Sequence, residues 1–327
     1  MRSYIKNFTT QLREAMAIGE KAKLSAYSNS IQNVVIIGLG GSGIGGTIVS
    51  EIVAPFATAP IAVNKDYFLP AYVNENTLVI VSSYSGNTEE TVQALQIALD
   101  KKAKIVCVTS GGKVLEVAKE KGLDFILIPG GMPPRACLGY SLTQLFYILN
   151  FYNIISDSFK KDLVNSIKLL DLENESIQNE AENIAKKLLN KIPVVYASAG
   201  SEGISVRFRQ QLNENAKVLA WHNVIPEMNH NELVGWTKPE EGLAVVIFRS
   251  GEDYDRIRKR IEINKKVIEQ YAPEIIEIYA KGGSSIERMF YYIHIGDWIS
   301  VFLADLKGID AMEVKVIEHL KSSLQSF

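Results

Sequence analysis

Two α/β halves in tandem, each a mainly parallel sheet flanked by helices in a doubly wound, flavodoxin-like arrangement, are the fold this sequence predicts. Three observations carry the prediction. The chain has 327 residues, more than one domain usually holds. From Asn33 a short apolar strand, a small-residue turn and a helix follow one another repeatedly. The same order then returns in the second half of the chain.

The first unit is NVVIIGLGGSGIGGTIVSEIV, a strand, a glycine turn and a helix. TLVIVSSYSGNTEETVQALQIAL repeats it with a serine-rich turn, and KIVCVTSGGKVLEVAKEKG repeats it again. Strands without polar alternation, separated by helices, belong to a parallel sheet covered on both faces. The N-terminal stretch places Ile5, Phe8, Leu12 and Met16 at helical spacing between charges, which predicts an amphipathic helix and not a signal peptide.

The second half reads IPVVYASAGSEGISVRFRQQL, EGLAVVIFRSGEDYDRIRKRI and EIIEIYAKGGSSIERMFYYI. Laying Gly38 on Ser198, Ser85 on Ser250 and Gly111 on Gly282 gives offsets of 160, 165 and 171 residues, an internal duplication with small insertions. The sequence turns polar and helical over residues 153–175, so the halves are expected at 1–155 and 156–327. No Gly/Ser- or Pro-rich linker separates them.

Composition excludes several classes of function. A formal net charge of −2 offers no basic face for nucleic acid or an anionic membrane. No stretch reaches the ~18 apolar residues of a membrane span. The two cysteines, Cys107 and Cys137, form no CxxC pair and point to a reducing cytoplasm. The four histidines, His222, His230, His294 and His319, show no HxH or HExxH spacing, so no metal is expected. His294 lies in an apolar helix, where a packed ring suits it better than a ligand role.

The turns carry more information. Gly38, Gly40 and Gly43 satisfy GxGxxG, but the acidic residue a dinucleotide site wants comes late, at Asp66, and no GK[ST] follows to make a P-loop. Ser82, Ser83, Ser85 and Thr88 crowd hydroxyls at the start of the next helix, where the dipole favours an anion such as a phosphate monoester. Simple capping of the helix by Thr88 or Asn87 would need one such residue.

The pairing of GLGGSG with SYSGNTEET resembles the sugar isomerase (SIS) domain. Two such domains in tandem, with the motifs below, are similar to the bifunctional phosphoglucose/phosphomannose isomerase family over nearly the whole chain. The resemblance implies phosphate contacts from Gly41, Ser42, Ser83, Ser85 and Thr88. It also implies an aldose–ketose isomerase that needs no metal or redox cofactor and takes a small sugar phosphate as substrate.

Such a reaction needs groups that open the ring, a base that moves a proton between C1 and C2, and a cation for the enediolate. Arg135, in PGGMPPRACLGYS, follows turn residues and precedes an apolar helix, which fixes a guanidinium. Its alternative is an ordinary surface arginine, and the family's arginine in this motif favours the oxyanion role. Glu214 stands between two asparagines that would orient its carboxylate, and the family motif QLNEN implies that it is the base. Glu202 is the rival carboxylate at the second glycine turn.

His230 lies between asparagines in NHNELVGW, a segment too polar to be core, and an imidazole is a side chain suited to ring opening. The resemblance implies that it serves the neighbouring subunit of a homodimer. Lys321 matches the family's terminal lysine and is implied in proton transfer at the ring oxygen; helix-dipole compensation is its ordinary reading. Bifunctional relatives carry a threonine just before that lysine, tied to the mannose epimer, and none occurs from Lys307 to Lys321. A non-catalytic sugar-phosphate sensor and another SIS-type isomerase are the competing readings.

Overall fold

The structure, a computed structural model, describes residues 1–324. The chain divides into two compact units. In chain order the elements begin with α1 (Arg2–Lys6) and α2 (Phe8–Lys21), so the expected N-terminal helix is broken at Asn7. They continue with β1 (Asn33–Ile37), α3 (Gly40–Val53), β2 (Ile61–Asn64), β3 (Thr77–Ser82), α4 (Glu89–Asp100), β4 (Lys104–Thr109), α5 (Gly112–Lys121), β5 (Asp124–Leu127) and α6 (Leu138–Phe151). After α7 (Phe159–Leu188) come β6 (Ile192–Ser198), α8 (Glu202–Ala216), β7 (Trp221–Ile225), β8 (Leu243–Arg249), α9 (Asp255–Ile268), β9 (Ile275–Tyr279), α10 (Ser285–Leu306) and α11 (Lys315–Leu324).

The first unit comprises Lys6–Leu172 with Lys281–Tyr291. Its five strands are all parallel, in the order β2-β1-β3-β4-β5. This is the flavodoxin-like order, with a switch point between β1 and β3. Val35, Ile37, Val79, Val81, Ile105 and Cys107 send alternate side chains into one core layer with Ala94, Leu95 and Val114 of α4 and α5. The intervening residues Ile36, Ile80 and Val106 are equally buried on the other face. There Gly46 of α3 gives Ile36 room, since a Cβ would lie 2.9 Å from its Cγ2. Continuous apolar runs follow from this two-sided cover, each large side chain contributing roughly 1.5–3 kcal/mol relative to exposure.

The second unit comprises Met1–Ile5, Glu173–Ala280 and the chain from Tyr292 onward. Its parallel strands run β7-β6-β8-β9, the order of the first four strands in the other sheet. The duplication ends there: β4 is followed by α5 and β5, whereas β9 leads directly into α10. On one face Tyr196, Ile225, Val245 and Ile247 pack with Ile261 and Ile268 of α9. On the other, Phe248 stands edge-on to Phe208 of α8 and Tyr292 of α10.

The units divide between Leu172 and Glu173, inside α7, and not between 155 and 156. The polar stretch taken for a boundary is a continuous 30-residue helix, so it marks an element the units share in sequence and not a linker. The N-terminus joins the second unit, where Arg2 bonds Asp305 (Nε to Oδ2, 2.8 Å) and covers the Phe302 ring.

Ahead of β1 the chain is tied down by Asp124. Its carboxylate accepts from Ser25 N (2.9 Å), Ser25 Oγ (2.8 Å), Lys104 Nζ (2.7 Å) and Tyr152 OH (3.2 Å). Burial pushes this carboxyl up, but the bonds from Lys104 and Ser25 outweigh it and hold it below the ordinary range. A depressed carboxyl contributes stability that is full above the unfolded pKa of about 3.9 and is lost as pH falls through the folded value. Asp124→Asn is therefore expected to lose about 2 kcal/mol at neutral pH, and the gap should narrow as pH falls below the unfolded value. Urea unfolding of both proteins across that range is the measurement.

Candidate active site

The sequence-selected residues fall into two groups, one in each unit. In the first unit Gly41, Ser42, Ser83, Ser85, Thr88 and Arg135 gather outside the carboxyl ends of β1 and β3, where ligands bind in sheets of this order.

Close backbone approach dictates the glycines. A Cβ on Gly43 would lie 2.3 Å from Gly38 O, and one on Gly38 would lie 2.8 Å from Ser82 O. The first turn of α3 is thereby drawn against the end of β3. Ser42 Oγ accepts from Tyr84 N (3.2 Å), and Tyr84 O accepts from Ser110 N (3.0 Å) and Ser110 Oγ (2.6 Å). Three strand-end turns are stitched into one rim. Gly86 has φ +70°, and a Cβ there would meet Gly111 O at 1.8 Å.

Thr88 occupies the N-cap of α4, yet its side chain makes no capping bond. Ser83 Oγ donates to Thr88 Oγ1 at 3.4 Å instead. The exposed Ser85 accepts from Asn87 N (3.3 Å), and Asn87 accepts from Lys113 N (2.9 Å). These hydroxyls are thus arranged around the helix start without closing it.

Arg135 lies in a 3-10 turn, Pro134–Ala136, and is 4% exposed. This turn sits directly on the glycine loop: a Cβ on Gly41 would be 3.2 Å from Pro134 O and 3.7 Å from Arg135 Cα. Tyr84 OH accepts from Met132 N (3.2 Å), and Gln11 of α2 donates to Ala136 O (2.8 Å). A buried guanidinium, two helix starts and a ring of hydroxyls form a candidate anion seat.

In the second unit Glu214 lies in the last turn of α8, half-buried. Of the flanking asparagines, Asn213 Nδ2 donates to Val218 O (2.7 Å) and Asn215 Nδ2 to Ser300 Oγ (2.9 Å). What fixes the helix is a buried polar seam. Arg207, Gln211 and Asn215, four residues apart, face Asp297 and Ser300 of α10; Arg207 Nη2 reaches both Asp297 oxygens (3.0 and 3.1 Å) and Gln211 Nε2 bonds Oδ1 (2.7 Å). Burial pushes the Asp297 carboxyl up, against the pull of Arg207 and Gln211.

His230 is exposed, at the end of a 3-10 turn that follows β7. The segment around it is anchored by Met228 and Trp236 in the core and by Glu232, which accepts from Tyr196 OH (2.5 Å), Trp221 Nε1 (3.1 Å) and Asn223 Nδ2 (2.8 Å). His222 lies on β7, not in a loop, and its Nε2 is 3.6 Å from Glu202 at the start of α8. Burial and Arg209 lower its pKa against the pull of Glu202. His294 is buried and accepts from Trp298 Nε1 (3.2 Å), the packed role its apolar helix predicted. Lys321 lies exposed on α11.

Topology separates the members of this group. Because β6 and β7 are parallel, α8 runs back along the sheet for 15 residues, about 22 Å. Glu214 therefore lies towards the amino ends of the strands, while His230 follows the carboxyl end of β7. The two thus follow opposite ends of the strands.

At the turn after β8 in the second sheet, a carboxylate of the chain meets the backbone amide. Ser250 N donates to Asp253 Oδ2 (2.9 Å) and Glu252 N to Ser250 Oγ (3.0 Å), so the turn's own carboxylate accepts what a phosphate would. Among the described residues no group of three His, Cys, Asp or Glu could hold a metal ion, and no helix is long and apolar enough to cross a membrane.

Glycine and hydroxyl turns at the switch point of the first sheet, followed by a second parallel sheet that repeats the order of its first four strands, define a tandem SIS-domain protein. Residues 29–128 match the SIS domain model, and residues 177–324 match the bacterial phospho-glucose isomerase C-terminal SIS domain. The bifunctional phosphoglucose/phosphomannose isomerase of Caldicellulosiruptor bescii is 40% identical, over 98% of this chain and 97% of that protein. Its counterpart from Aquifex aeolicus is 37% identical, over 90% and 91%. Among solved structures, the C-terminal domain of glucosamine-fructose-6-phosphate aminotransferase from Francisella tularensis superposes with a TM-score of 0.75 at 14% identity, covering 94% of this chain and 96% of that one, a likeness of fold. The chain belongs to the bifunctional phosphoglucose/phosphomannose isomerase family.

Proposed function

We propose that this protein is an aldose–ketose isomerase that interconverts glucose 6-phosphate, and its mannose epimer, with fructose 6-phosphate through a cis-enediolate. The observation that carries the reading is the anion seat itself, with Thr88 at the start of α4 making no cap and Arg135 buried beside Gly41. Gly41, Ser42, Ser83, Ser85 and Thr88 hold the phosphate, a handle remote from the reacting carbons. His230 and Lys321 move the protons that open the ring. Glu214 takes the proton from C2 and returns it to C1, while the hydroxyl proton on O2 leaves and O1 gains one. Arg135 offsets the charge on the enediolate oxygens.

Both aldoses share one enediolate, so they differ only in the face of C2 that is protonated. With no threonine from Lys307 to Lys321, the support for glucose 6-phosphate as substrate is stronger than that for mannose 6-phosphate. No step calls for a metal, and turnover is expected to persist in a chelator. Coupled assays of both hexose 6-phosphates with and without chelator test this; turnover abolished by chelation and restored by a divalent cation would overturn the metal-free part. The buried free cysteines suit a reducing cytoplasm.

The separation of Glu214 from His230 supports a homodimer in which His230 completes the neighbour's site. Two inactive proteins, Glu214→Gln and His230→Ala, should then complement. Mixed after co-refolding, half of the dimers are hybrid and each hybrid has one intact site, so about a quarter of wild-type activity is expected on this symmetric arrangement. No recovery in verified hybrids would place both residues in one chain's site.

A further inference from the structure

Lys217 ends α8 in the left-handed conformation, with φ 52° and ψ 46°. This is the place where helices favour glycine, because a Cβ is strained there. The lysine's ammonium donates to Glu214 O (2.6 Å), Glu313 O (2.6 Å) and Asp310 O (3.3 Å). Lys307, just past α10, donates to Ala216 O (2.9 Å). The last carbonyls of α8 thus face two cations, which also suit the negative end of the helix dipole.

The three acceptors of Lys217 come from two places. Glu214 O belongs to the residue assigned as base, while Asp310 and Glu313 belong to the connector that leads into α11, which carries Lys321. A glycine would end the helix with less strain but could not join the two. Strain held at one position is explained when the side chain does something a relaxed residue cannot.

We propose that Lys217 is a positioning residue that sets Glu214 against Lys321 by clamping the end of α8 to the α10–α11 connector. This rests on the assignment of Glu214 as the base. Lys217→Gly keeps the backbone cap, relieves the left-handed strain and removes only the clamp. It should fold with a thermal midpoint near wild type and lower kcat about 10- to 100-fold, the effect of a displacement on the order of 1 Å, with KM for fructose 6-phosphate within about twofold. Lys217→Asn, whose side chain also tolerates this conformation, should behave alike and serves if the glycine variant is unstable.

The decisive comparison uses the Glu214→Gln background, where Lys217→Gly should cost nothing further because the clamp acts through Glu214. A wild-type kcat in folded Lys217→Gly overturns the proposal, as does an equal loss in both backgrounds, which a merely structural role would give. Wild-type turnover in Glu214→Gln alone instead removes the base assignment, a result read independently of Lys217.

Discussion

Glu214→Gln is expected to lower kcat for glucose 6-phosphate by about 10^3-fold, within the range a positioned general base supplies, with little change in KM. The amide keeps the shape of the carboxylate and cannot take a proton from carbon. Substrate affinity should survive because the turns proposed to hold the phosphate lie on a different sheet. Solvent deuterium gives a second readout: wild type should incorporate label at C2 during turnover, and the variant should lose incorporation in step with kcat. Turnover and labelling at the wild-type rate would exclude Glu214 as the base.

Gly43→Ala is the second substitution with a large expected effect, and it acts at the opposite stage of the reaction. The new methyl would lie 2.3 Å from Gly38 O, and both partners are backbone, so neither can rotate away. The first turn of α3 must move off the end of β3, taking with it the amides at the helix start and the Ser42–Tyr84 bond (3.2 Å). A shift near 1 Å in a site of this kind is worth about 10^2-fold, here expressed in kcat/KM and in the affinity for fructose 6-phosphate. Calorimetric titration with fructose 6-phosphate measures the loss, and circular dichroism establishes that the sheet persists. Wild-type affinity in the alanine variant would mean that the phosphate does not use this turn.

Much of the fold was legible because strands buried on both faces leave unbroken apolar runs. Val34–Ile37, Leu78–Val81 and Ile105–Val108 could be read directly, and so could their echoes in the second half. The edge strands were less visible. Trp221–Ile225 is β7, yet its WHNVI has exposed and half-buried positions and reads as polar loop. The division at 155 failed because α7, amphipathic and charged, has the composition of a linker while being one helix.

The geometry of the glycine and hydroxyl turns was the most legible part of the candidate site. Glycines forced by close backbone approach and hydroxyls clustered before a helix are local features, and sequence records local features well. Arg135 could be placed only through its turn residues, since the contact of that turn with Gly41 spans most of a domain. Long-range partners left no trace. Nothing in LNENAKV indicates that the Asn215 amide bonds Ser300 or that the Lys217 ammonium reaches Glu313, 96 positions further on. The same is true of Glu232, whose three donors come from β6 and β7.

The Asp253 carboxylate in the turn after β8 has a bearing on how the duplicated gene product divides its labour. A copy that furnishes its own negative charge has no use for a borrowed one, so its rim is released from the demands of ligand entry and exit. Its helices could then evolve as a scaffold for acid–base groups without preserving a vacancy at that turn. On the proposed function, free inorganic phosphate is accordingly expected to inhibit by simple competition for a single berth per polypeptide.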